Sequence, residues 1–152
     1  MIIGIDPGNT GAIAFLGDDM RLIEVVDMPL MANGKKNQVN AAALARIFDR
    51  EDCIHAYVEK VGAMPGQGVA SMFNFGMGFG VIKGVLAARC IPYELITPQA
   101  WKKAAKLIGK DKDNARTLAQ QLYPEAPLDR KKDIGRADAI LIARYSHERR
   151  LG

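Results

Sequence analysis

The sequence predicts an α/β fold: a five-stranded mixed sheet flanked by helices on both faces. Three observations carry the prediction. Short β-prone runs separated by tight turns crowd the first 28 residues, two later strand-like runs alternate with helical segments, and the chain closes on helical segments alone. Consecutive short strands pair antiparallel, whereas a strand–helix–strand unit returns its second strand parallel, so one mixed sheet accommodates both.

The first strand, Ile2-Ile3-Gly4-Ile5, ends at Asp6, where Pro7-Gly8-Asn9-Thr10-Gly11 forces a turn. Ala12 to Leu16 reads as a second strand. Gly17-Asp18-Asp19 is a hairpin connection to a third, Leu22 to Met28. Pro29 to Gln38, with Asn33-Gly34-Lys35-Lys36-Asn37, reads as a polar, basic loop. Asn40 is placed to cap a helix of Ala41 to Arg50 with Leu44, Ile47 and Phe48 on one face. His55 to Glu59 is the fourth strand, returned parallel beside the first. Val61 to Gly68 is a loop, and Val69 to Arg89 a long helix despite Gly76, Gly78, Gly80 and Gly84. Each glycine costs roughly 1 kcal/mol against alanine. The stripe Gly76, Gly80, Gly84 is therefore expected against the sheet or another helix, with a subunit interface as the alternative.

Pro92 to Ile96 is the fifth strand. Thr97-Pro98 starts a helix that turns Trp101, Ala104, Ala105 and Leu107 inward. Gly109 to Lys112 breaks it, Asp113 caps the segment Asn114 to Leu122, and Pro124 closes that segment. A last helix runs from about Gly135 to His147. This order fits a ribonuclease H-like architecture in a single domain, residues 1–152.

Residues 1–100 hold 8 Lys/Arg against 10 Asp/Glu, while residues 101–152 hold 13 against 7, so the net charge of +4 sits in the C-terminal third. Such asymmetry points to an anionic polymer, with a solvated helical surface as the competing reading. No stretch approaches the ~20 apolar residues of a membrane span, and no basic-then-apolar leader opens the chain. A cytoplasmic protein without membrane association is expected. Cys53 and Cys90 have no metal-ligand spacing and read as buried free thiols, and two histidines are too few for a histidine-based zinc site.

The chemistry lies in acids. Asp6 and Glu59 end adjacent strands. Asp138 sits on an apolar helix between Ala137 and Ala139, small residues that let the helix approach the sheet. Three carboxylates with oxygen-only ligation suit Mg²⁺, or Mn²⁺, which also take oxygens from phosphate. Two such ions ~3.5–4 Å apart serve in-line attack at phosphorus. For Asp138 alone, a buried salt bridge is the competing reading.

Gly4-Ile5-Asp6-Pro7-Gly8, Val58-Glu59 and Ala137-Asp138-Ala139, in this order and at this spacing, resemble the RuvC-type Holliday junction resolvases, including phage-encoded relatives. Tyr93 to Lys103 is similar to the family's strand and basic helix. The resemblance implies a ribonuclease H-like fold, a homodimer, and Mg²⁺-dependent paired nicking of four-way DNA junctions, with Asp6, Glu59 and Asp138 as metal-binding catalytic acids. The family's fourth acid falls at Gly135, which leaves that ligand to Asp133, reaching in from the loop, or to water. Where bacterial members carry an aromatic wedge, this chain reads Gly62-Ala63-Met64-Pro65, with Phe73 and Phe75 further on. DNA contacts are expected from Lys102, Lys103, Lys106, Lys110 and Lys112 and from Arg130, Lys131, Lys132 and Arg136. Lys112 matches a family basic residue near the active site. Gly8 and Gly11 are expected to leave room for the DNA backbone.

Asp6-Pro7-Gly8-Asn9-Thr10 also resembles the phosphate-binding turn of the sugar kinase and actin superfamily, which needs two such domains to enclose a nucleotide. The same acids and basic third are compatible with a RuvC-like nuclease for structured RNA, and the basic third alone with a non-catalytic branched-DNA-binding protein.

Overall fold

A computed structural model describes residues 1–151. The chain runs β1 (Ile2–Asp6), β2 (Ala12–Leu16), β3 (Leu22–Asp27), β4 (Leu30–Asn33), β5 (Lys36–Val39), α1 (Ala41–Ile47), β6 (His55–Glu59) and α2 (Val69–Ala88). β7 (Tyr93–Ile96), α3 (Pro98–Ala104), α4 (Asp113–Leu122), a 3₁₀ turn (Lys131–Asp133) and α5 (Ile134–Leu151) complete it. The five-stranded sheet has the order β3-β2-β1-β6-β7. β1 pairs antiparallel with β2 and parallel with β6, which pairs parallel with β7, so the expected mixed sheet is present.

Side chains alternate across β1, and the alternation builds two cores. Ile3 and Ile5 pack with Ile13, Phe15, Leu44 and Ile82 beneath α1 and α2. Ile2 joins Ala14, Tyr57, Trp101 and Ile140 beneath α3, α4 and α5. Gly4 faces the second layer, where any Cβ would stand 2.3 Å from the Ala139 carbonyl oxygen and 2.5 Å from the Ala143 nitrogen. Glycine at 4 and alanines at 139 and 143 therefore set how closely α5 crosses the sheet centre. The caps work as the sequence implies: Asn40 Oδ1 accepts from Ala43 N (3.1 Å) and Thr97 Oγ1 from Ala100 N (3.2 Å).

Several expectations are corrected. The polar segment after Pro29 is a β4–β5 hairpin, turned on Gly34 with φ +64°. Side-chain bonding rather than hydrophobic alternation marks it, including Asn33 Nδ2 to Gln38 Oε1 (3.0 Å). α4 starts at Asp113, whose carboxylate takes Arg116 (2.8 Å) instead of capping. Ala104 is exposed, because α3 ends there. Of the two thiols Cys90 is exposed and Cys53 half-buried.

α2 departs furthest. It is long and apolar enough to cross a membrane by length and composition, with Lys83 its only charge, although Ser71, Asn74 and four glycines break up its apolar residues. It is nevertheless part of the fold, since Ile82 and Leu86 are fully buried in the core under the sheet. The stripe Gly76, Gly80, Gly84 faces away from that core. A Cβ at any of the three meets nothing within 4 Å, so the stripe packs against neither sheet nor helix.

Candidate active site

Asp6 and Glu59 end neighbouring parallel strands whose register runs Ile5 opposite Val58. One step further the two acids lie side by side, on the sheet face that α5 covers. Because α5 rides directly on Gly4 through Ala139 and Ala143, Asp138, one residue before Ala139, is delivered to the same end of β1. The three carboxylates line one cleft of about 590 Å³.

The turn after Asp6 is built tightly. Gly11 N donates to Gly8 O (3.1 Å), and a Cβ on Gly11 would fall 1.8 Å from the Asp6 carbonyl oxygen. Gly8, at φ +109°, lies under the Phe75 ring, 3.0 Å from where a Cβ would be. These glycines serve chain packing, which replaces the expectation that they leave room for DNA. Gly135 completes the seam: its hypothetical Cβ would stand 2.2 Å from the Thr10 carbonyl oxygen, so no side chain fits there.

Burial and neighbouring charge raise the proton affinity of Asp6 and Asp138. Burial first, then the Asp138 and Glu59 charges, holds the Asp6 carboxyl well above the ordinary aspartate value, against the pull of Lys102. Asp138 is pushed up to about 7 by burial and by the Glu59 charge, while Lys102 and Lys112 draw it down. Glu59 has a partner: Trp101 Nε1 donates to its Oε2 at 2.7 Å. Among the described residues no three Asp, Glu, His or Cys side chains are gathered tightly enough to enclose a cation unaided, so the trio is a shared cleft rather than a finished coordination sphere.

Lys102, Lys110, Lys112, Lys131 and Lys132 line the same cleft. Lys103 and Lys106 do not, and neither does Arg136, whose guanidinium grips Asp27 in a fork (2.7 and 2.9 Å) and donates to Pro127 O (3.1 Å). Asp133 is corrected more sharply. It is 1% exposed and lies in the 3₁₀ turn, where it accepts from Arg130 N (2.9 Å) and from the Arg130 guanidinium (2.8 Å), which holds it below the ordinary range. It is a capping residue outside the cleft. Trp101 and Thr10 also line the cleft; reading the sequence took Trp101 as core alone and met Thr10 only in the phosphate-binding-turn resemblance. A single tryptophan one turn into a capped, proline-started helix was the available signal for Trp101.

Fold and site together define a class: a ribonuclease H-like domain with a carboxylate cleft rimmed by lysines. Comparison with known proteins gives that class closer relatives. The chain is 33% identical over 100 residues, 64% of its length, to the chloroplastic Holliday junction resolvase MOC1 of Chlamydomonas reinhardtii, of which it spans 11%. No protein-family model matches. Among solved structures, Thermus thermophilus RuvC in complex with a Holliday junction substrate superposes with a TM-score of 0.68 at 17% identity, over 99% of this chain and 96% of that one. Fowlpox virus resolvase in complex with substrate Holliday junction DNA gives 0.54 at 16% identity, over 98% and 99%. The yeast mitochondrial Holliday junction resolvase gives 0.53 at 18%, over 96% and 77%. The ribonuclease H-like fold expected from the sequence is the fold these neighbours have, and the similarity to RuvC is found across nearly the whole chain.

Proposed function

We propose that the chain is a structure-selective endonuclease that resolves four-way or related branched DNA junctions by paired hydrolytic nicks, using divalent cations, Mg²⁺ above all. The observation that carries the reading is the convergence of Asp6, Glu59 and Asp138, from two strands and a helix, in one lysine-rimmed cleft. Resemblance to junction resolvases in sequence and in fold supports the choice of substrate.

The residues fit a hard divalent cation. All three donors are carboxylates, and Asp6 and Asp138 are half-buried acids whose repulsion a cation would relieve. When bound, such ions supply Lewis-acid stabilisation of phosphoryl oxygens and activation of water. The chain's own groups do the rest. Lys102 and Lys112, close enough to bias Asp138, sit where a scissile phosphate beside the acids would meet positive charge. Lys110, Lys131 and Lys132 extend the rim along a phosphate backbone without reading bases.

Paired nicks need two sites, and α2 offers the means. Its outward face, with Val69, Phe73, Gly76, Met77, Gly80 and Gly84, is apolar and exposed, Phe73 at 74%. Small residues permit close backbone approach, and the helix's one charge, Lys83, borders the face with its ammonium 5.0 Å from the Phe79 ring centre, which favours a second copy of the same chain across a two-fold axis.

The deciding experiment incubates labelled four-way junction, duplex, flap and structured RNA with protein and Mg²⁺. Symmetric nicks confined to the junction, retained junction binding and lost nicking in Asp6→Asn are the expected result. Undiminished cleavage by Asp6→Asn would sink the assignment of the cleft. Cleavage of structured RNA alone would transfer the activity to RNA, and junction binding without any nicking would leave a binding protein.

A further inference from the structure

We propose that Trp101 is a positioning residue for the cleft: its indole N–H holds one oxygen of Glu59 and thereby leaves the other set for a divalent cation. The proposal rests on the reading of the cleft as a cation site.

Glu59 is the least constrained of the three acids by its own covalent structure. Its side chain has one rotatable bond more than that of Asp6 or Asp138, and fixing it costs correspondingly more rotamer entropy. Some partner must offset that cost if the carboxylate is to stand ready. Trp101 is built for the task. It is 0% exposed and packs in the core beneath α5, so its ring cannot swing away. An indole N–H can only donate, and a buried one requires an acceptor. Here the acceptor is the carboxylate itself, at 2.7 Å, the length of a charge-assisted hydrogen bond.

The local fold aims it. Ile96 pairs with Glu59 across the sheet, and Lys60 N donates to Ile96 O (2.7 Å), so β7 ends level with the acid. Thr97 and Pro98 then start α3 at once, and its first turn returns residue 101 over the end of β6. The next residue, Lys102, lies with its ammonium 5.5 Å from the Trp101 ring centre and lines the cleft. Consecutive residues of one short helix thus hold a carboxylate from beneath and place a cation at the cleft wall. Partners of this kind orient metal-ligating carboxylates elsewhere, and their loss typically weakens metal affinity roughly 10–100-fold.

The bland reading is that Glu59 merely satisfies a core tryptophan. The two separate on cation affinity, because a purely structural bond would leave it unchanged in a folded variant. Direct binding of Mn²⁺ to the full chain, by calorimetry and by electron paramagnetic resonance, should be measured for wild type, Trp101→Phe and Glu59→Gln, with thermal melts alongside. Trp101→Phe keeps an aromatic ring and removes the N–H. A folded Trp101→Phe with Mn²⁺ affinity lowered tenfold or more is expected. Since Trp101 is the only tryptophan, biosynthetic replacement by benzothienylalanine, the same shape with sulfur for N–H, changes this one position and should give the same loss. That analogue decides the matter where the phenylalanine variant fails to fold. Mg²⁺ should also shift the emission of wild-type Trp101 saturably, and not that of Glu59→Gln. Wild-type affinity, within twofold, in a variant lacking the N–H would overturn the proposal while leaving the cation site standing. Absence of Mn²⁺ binding by wild type would instead remove the reading beneath it.

Discussion

Asp138 shows how one residue couples stability to chemistry. Its pKa is raised from 3.8 to about 7, and that of Asp6 also rises, so folding takes up protons in the cation-free protein. By linkage this contribution to stability is complete below the ordinary aspartate value and is lost as pH rises through about 7. Asp27 and Asp133, held low by Arg136 and Arg130, work in the opposite sense, so the effect must be read as a difference between variants that share them. Asp138→Asn, neutral throughout, should gain thermal stability relative to wild type between pH 5 and pH 8 in EDTA, by a few degrees. Mg²⁺ should raise wild type toward the variant at pH 8. Melting curves that run parallel with pH would refute the coupling. The acids were legible because chemistry at a strand end is announced by Gly and Pro punctuation, as Pro7-Gly8 does after Asp6. The Trp101 bond was not, because an apolar residue at helical spacing reads as core, and here it is core as well as partner.

At the scale of elements, the site depends on how closely α5 presses on β1 and on the turn that follows. Gly4 beneath Ala139 and Gly135 against Thr10 are the two contacts, and neither tolerates a Cβ. This explains why a fourth acid does not stand one turn before Asp138. Gly135→Asp places a carboxylate at the position the RuvC resemblance would fill, yet its Cβ would meet a backbone carbonyl at 2.2 Å, which no rotamer can relieve. Overpacking of this kind costs about 1–3 kcal/mol or more. Tm should fall by about 3–10 °C on that ground, with less nicking rather than more. An unshifted Tm with higher activity would show that the turn yields and that a four-acid set is accessible. The alanines of α5 announced a close approach from the sequence; that Gly4 was their partner did not follow, since residues 4 and 139 meet only through the crossover of the whole chain. The hairpin β4–β5 stayed hidden for another reason: its strands are four residues each and largely exposed, Leu-Met-Ala-Asn against Lys-Asn-Gln-Val, so no alternation marks them.

For the whole molecule, α2 poses the remaining question, because its glycines weaken it while its outward face stays bare. Period alone placed Gly76, Gly80 and Gly84 on one side of the helix, but could not tell which side met the sheet. A lone chain would gain from replacing them, because glycine in a helix interior costs roughly 1 kcal/mol against ordinary helix formers. Gly80→Lys therefore discriminates. Its Cβ enters open space, so in an isolated chain the substitution should leave the fold intact and stabilise it slightly. In a two-fold dimer it sets like charges against each other in an apolar seam. Light scattering should find wild type at twice the 16.6 kDa chain mass and Gly80→Lys at the single mass. On a four-way junction, the variant's cuts should become unpaired nicks on single strands. A wild-type monomer that is instead retained by phospholipid vesicles would assign the same face to a bilayer. A Gly80→Lys protein that remains dimeric would place the two-fold axis elsewhere on the molecule.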